Sequence, residues 1–60
     1  MNRVFLGAIV TIAPLFIDGE PADTYGHCQA TVLRFSGADA LVEILGGEEV
    51  WLPLRRIALA

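Results

Sequence analysis

Three small groups of residues in this sequence could do chemistry. His27 and Cys28 are neighbours and are the single histidine and single cysteine of the chain. Imidazole and thiolate both bind zinc, but one of each does not complete a four-ligand site. No metal site is expected, and the pair reads as a small half-buried thiol beside a loop-edge imidazole. A metal shared across a symmetric dimer is the sharper alternative. Asp18, Glu20 and Asp23 could offer oxygens to a hard cation. Pro21 divides them and their spacing fits no calcium loop, so they read as solvated acids. Arg34, Arg55 and Arg56 could grip a phosphate or carboxylate through paired guanidinium N–H groups. They could equally pair at the surface with Glu43, Glu48 or Glu49, which is worth little energy.

Motifs of catalysis are missing from this list. There is no glycine-rich phosphate loop, no histidine pair at ligand spacing and no Gly-x-Ser-x-Gly elbow. His27 and the seven carboxylates are candidate acids and bases, but none stands at a recognisable spacing from a nucleophile. The chain is expected to be non-catalytic and to use no cofactor.

Composition narrows the classes further. The 60 residues are 55% apolar and carry seven acids against four bases, for a net charge of −3. All four bases are arginine. A nucleic-acid binder needs positive charge to displace condensed counterions, and this balance is the opposite. One small domain, residues 1–60, is expected, burying about 60% of its extended-chain surface and gaining about 3–5 kcal/mol from its core. A single cysteine excludes the internal disulfides of small secreted domains. Arg3 followed by the apolar run Val4–Ile12 imitates a secretion signal. It is too short to span a membrane as a helix, and cleavage would leave too little chain to fold unaided. The expectation is a cytoplasmic protein that makes no membrane contact.

The elements that must position these groups are strands. Val4–Ile12 alternates β-branched residues, with Ala8, Val10 and Ile12 on one side and Ile9 and Thr11 on the other. Pro14–Gly26 is a long irregular loop, whose Leu15, Phe16 and Ile17 are expected to fold back over the end of the core. His27–Phe35 is a second strand, Ser36–Asp39 a turn, Ala40–Leu45 a third strand and Glu49–Leu52 a fourth. Pro53 ends the pairing, Leu54–Arg56 fits one 3₁₀ turn, and Ile57–Leu59 a closing strand. An open meander is the structural alternative.

This order, with the phrase Val50-Trp51-Leu52-Pro53-Leu54-Arg55-Arg56-Ile57, resembles the SH3-like small barrels of Tudor and KOW-type modules. The resemblance implies an all-β, five-stranded SH3-like small barrel with a long first loop and a 3₁₀ turn before the last strand. The plasmid-type dihydrofolate reductases resemble the chain in architecture and in a Val-x-aliphatic phrase near the fourth strand. That likeness implies an oligomeric enzyme with an inter-subunit site, but their pore uses lysine, which is absent here.

Side-chain alternation then says which groups are left outside. With Gly46–Glu48 as a three-residue turn, Ile44 faces Val50 and Val42 faces Leu52, and these four with Ala40 point inward. Leu41, Glu43, Leu45 and Trp51 point outward. Phe5, Ile9, Leu41, Leu45 and Trp51 are the apolar surplus that a small core cannot house. A patch containing a tryptophan among acids has the composition of an interaction surface. It could instead be a seam covered by the long loop. The expected function is self-association or capping of a protein partner, anchored by Trp51, Leu41 and Leu45 and oriented by Glu43 and Arg55. A nucleic-acid accessory role for Arg34, Arg55 and Arg56 is the alternative.

Overall fold

The computed structural model describes residues 3–60. Its strands are β1 (Ile9–Ile12), β2 (Phe16–Ile17), β3 (Glu20–Pro21), β4 (Gln29–Ser36), β5 (Asp39–Ile44), β6 (Glu49–Pro53) and β7 (Ile57–Leu59). The 3₁₀ turn Leu54–Arg56 joins the last two. Five strands form one antiparallel sheet in the order β6-β5-β4-β1-β7, and β2 pairs with β3 alone.

One face of the sheet makes the core. Val10, Ile12, Ala30, Val32, Ala40, Val42, Leu52 and Ile57 are buried, together with Ala8 just before β1. Within each strand these positions alternate with exposed or half-buried ones, as the two-residue period of a pleated strand requires. Tyr25, Ile44, Val50, Leu54 and Leu59 pack around this aliphatic centre.

The sheet is open, so the closed five-stranded barrel expected from the sequence is not formed. β6 and β7 are its two edges and share no ladder. The 3₁₀ turn between them makes a corner: Ile57 N–H bonds back to the Leu54 carbonyl, and β7 runs on to pair with β1.

The chain departs from the expected elements at several glycines and turns. Gly7 has φ +83°, and Ala8 N–H bonds to Phe5 O at 3.0 Å. This turn stops the first strand short of Val4, because left-handed backbone does not continue a strand. Asp18 (φ +52°) and Gly19 (φ +83°) both take positive φ. That is the signature of the type I′ hairpin turn that Asp-Gly favours. The hairpin it closes holds Phe16 and Ile17 in solvent, 58% and 62% exposed, with Leu15 exposed beside them. These side chains do not fold back over the core.

Ser36 pairs with Asp39 across a two-residue turn in which Gly37 has φ +59°. In the next hairpin Val42 faces Val50 and Ala40 faces Leu52, two residues away from the expected pairing. Ile44 N–H bonds to Glu48 O at 2.7 Å and Gly47 N–H to Ile44 O at 2.8 Å, so the loop is the three residues Leu45–Gly47, one position earlier than expected, with Gly46 (φ +114°) and Gly47 (φ +108°) in left-handed backbone. An even slip preserves the faces, so the inward set stays as expected. A β-bulge between Val32 and Arg34 sets two residues, Leu33 and Arg34, against Leu41.

Candidate functional site

The outer face of the sheet is built by register. One row runs Trp51, Leu41, Arg34, and the next runs Glu49, Glu43, Thr31, Ile9. Trp51 is 48% exposed, Leu41 is half-buried, and Ile9 and Leu33 are exposed. Strand pairing thus places an indole, an aliphatic side chain and a guanidinium side by side, with two carboxylates directly opposite each other in the adjoining row.

The five expected contact residues do not form one cluster. Trp51 and Leu41 are cross-strand partners, and Glu43 lies one row away. Leu45 stands beyond the end of β5, 87% exposed. It lines a shallow hollow of about 130 Å³ together with Ile9, Thr31 and Glu43. Arg55 is exposed on the 3₁₀ turn, past Pro53 and at the opposite end of β6 from Glu49. Glu43 and Arg55 therefore do not share a rim.

The arginine cluster is also rearranged. Arg56 is 6% exposed, and its guanidinium forks onto Asp23, with Nη1 to Oδ2 at 2.6 Å and Nη2 to Oδ1 at 3.2 Å. Nε and Nη2 also donate to the Ala13 carbonyl at 3.2 and 2.9 Å, and Ala13 N–H returns a bond to Arg56 O at 2.6 Å. Asp23 is therefore not a free solvated acid, and Arg56 is not presented to an outside phosphate. The partner came from the long loop and not from Glu43, Glu48 or Glu49. Glu48 accepts instead from the Tyr25 hydroxyl, while Tyr25 N–H donates to Asp23 Oδ1 at 3.1 Å.

Electrostatics follows from these bonds. The Arg56 hydrogen bond is the main cause holding Asp23 below the usual carboxylate range, against a smaller opposing effect of burial; the Tyr25 N–H bond and the Arg56 charge add to the lowering. Arg56 is raised reciprocally, chiefly by its hydrogen bond to Asp23. The bond to Glu48 raises Tyr25, with desolvation and the charges of Glu48 and Asp23 adding to it. These residues form a collar that ties the base of the long loop to the end of the sheet. Gly26 completes it, because a Cβ there would lie 2.8 Å from Pro14 Cβ.

His27 is exposed with φ +66°, and the Cys28 thiol is half-buried, 3.8 Å from the Thr24 carbonyl. Among the described residues no group of three or more His, Cys, Asp or Glu side chains is placed to hold a metal ion. No helix among them is long and apolar enough to cross a membrane.

Sequence reasoning missed the exposed hairpin carrying Phe16 and Ile17, although the dipeptide Asp18-Gly19 signals it. It also missed the Asp23–Arg56 pair, for which a sequence separation of 33 residues gives no local signal. Comparison of the chain with protein-family models, curated protein sequences and solved structures gives no match.

Proposed function

We propose that this chain is a non-catalytic, cytoplasmic protein-interaction module that self-associates or caps a larger protein through the outer face around Trp51. The observation that carries this reading is the half-exposed Trp51 indole set directly beside Leu41 on the outer sheet face, where Ile9 and Leu33 are also exposed. Tryptophan in a partly apolar, partly acidic surface is a common anchor of protein contacts. We also propose that the fold is related in architecture to the SH3-like small barrels. The strand order β6-β5-β4-β1-β7 and the 3₁₀ turn before the last strand support it. The engagement of Arg56 with Asp23 counts against a three-arginine phosphate grip.

The test is Trp51→Ala, followed by sedimentation for self-association and by affinity capture for a partner. Half of the indole is already in water, so the fold should lose only about 1–2 kcal/mol. Association should weaken by about tenfold or more, the effect of losing an anchor worth over about 1.4 kcal/mol. A variant that unfolds while association per folded molecule is unchanged would make Trp51 a packing residue and end the proposal.

A further inference from the structure

The free edge of β6 carries an inference that rests on the Trp51 reading and gives the partner a chemistry. Leu54 N–H donates to Ala38 O at 2.8 Å and Ile44 N–H to Glu48 O at 2.7 Å. These bonds fix the parity of the β5–β6 ladder. Val50 and Leu52, paired with Val42 and Ala40, exchange their hydrogen bonds with β5. Glu49 and Trp51 therefore turn N–H and C=O toward the open edge, and Pro53, which has no N–H, ends the run. Among the described residues, no turn, loop or side-chain hydrogen bond reaches either backbone.

A second observation concerns charge on the same edge. Glu43 and Glu49 are exposed and directly opposite each other. Like charges in that position destabilise a sheet. The only ion pair among the described residues is Arg56–Asp23, and Arg34 lies in the next row, beyond Leu41. A strand laid along β6 would bring its own side chain into the row of the two carboxylates.

We propose that β6 accepts a short extended segment of a partner protein as an added strand. The segment carries Lys or Arg beside Glu49 and an apolar side chain two residues away beside Trp51. Backbone bonds to Glu49 and Trp51 supply the attachment, and the alternating side chains supply selectivity. A second copy of this chain fits less well, because apposing two β6 edges adds two further carboxylates to a site that already lacks a cation.

The probe is a blocked peptide of sequence Val-Lys-Val-Leu-Val, titrated into isotope-labelled protein at low salt. Controls are the same peptide with Glu for Lys and a backbone N-methylated form. Expected are shifts and slowed hydrogen exchange at the Glu49 and Trp51 amides, with the Glu peptide about tenfold weaker and the N-methylated form inactive. Glu43→Gln and Glu49→Gln should each weaken the Lys peptide by about threefold to fivefold. Equal binding of the two charge forms, no binding, or perturbation away from β6 overturns the inference. Concentration-dependent protection of the same amides without peptide would assign the edge to a second copy and overturn it too. If the peptides are silent while Trp51-dependent association persists, the edge inference alone fails. If the Lys peptide docks on β6 while Trp51→Ala leaves association intact, the Trp51 reading fails instead.

Discussion

Replacing Asp23 with Ala would leave the Arg56 guanidinium inside the protein with one neutral acceptor, the Ala13 carbonyl. Orphaning one member of a buried ion pair costs about 3–5 kcal/mol. Asp23 keeps 27% side-chain exposure, so water reaches the vacated position; we place the cost at about 2–3 kcal/mol. A domain of this size holds only about 3–5 kcal/mol in total, so the variant should sit at the margin of unfolding, with a melting midpoint at least about 10 °C lower. Urea and thermal unfolding followed by Trp51 fluorescence measure this. Adding Arg56→Met to the variant should restore much of the loss, because an apolar side chain needs no counter-charge there. The pair also has an acid limb. Asp23 titrates lower in the folded chain than in the unfolded one, whose value is near 3.8. Its stabilisation is complete above that value and drains away as pH falls through the depressed one. Asp23→Ala should lack this part of the acid loss. A cost below about 0.5 kcal/mol, the range of an ordinary surface substitution, with an unchanged acid limb would refute the reasoning.

Tyr25 gives the alkaline counterpart. Its raised value means that the Glu48 bond contributes fully below the ordinary tyrosine value of 10.0 and is lost as pH rises through the folded value; Tyr25→Phe should flatten that limb in alkaline unfolding curves. Gly26→Ala drives a methyl into Pro14 and should cost about 1–3 kcal/mol in the same melts, whereas the equally small change at an open surface position would not. Glu43→Gln relieves the direct opposition to Glu49 and should raise stability by a few tenths, about 0.2–0.5 kcal/mol, at low ionic strength. That gain should fade in 1 M salt.

Strand positions and faces were legible because alternation is a local property. Ala40, Val42 and Leu52 occur at the right parity to be buried, and Pro53 marks where the ladder stops. Pairing was not legible to the same degree. Parity selects a face but allows even slips, and the flexible glycines at 46 and 47 allow the same three-residue turn to sit one position earlier. Nothing in Leu33-Arg34-Phe35 announces a bulge, because bulges answer to the twist of the neighbouring strand. Leu15-Phe16-Ile17 was misread for a different reason: apolarity argues for burial, but the Asp18-Gly19 turn holds the segment as a hairpin away from the core. Of the candidate site, the shared outward face of Trp51 and Leu41 followed from alternation, but their direct pairing did not, because the expected register set Trp51 opposite Glu43. Removal of Arg56 from the arginine group did not follow either, since its partner lies in a loop without periodicity.

The collar at Ala13, Asp23, Tyr25 and Gly26 grips the hairpin by its base only. Phe16 and Ile17 stand outside the aliphatic interior, so a change of side chain there leaves the packing of that interior as it is. A scaffold divided in this way can acquire new surface specificity at its tip while its architecture stays constant.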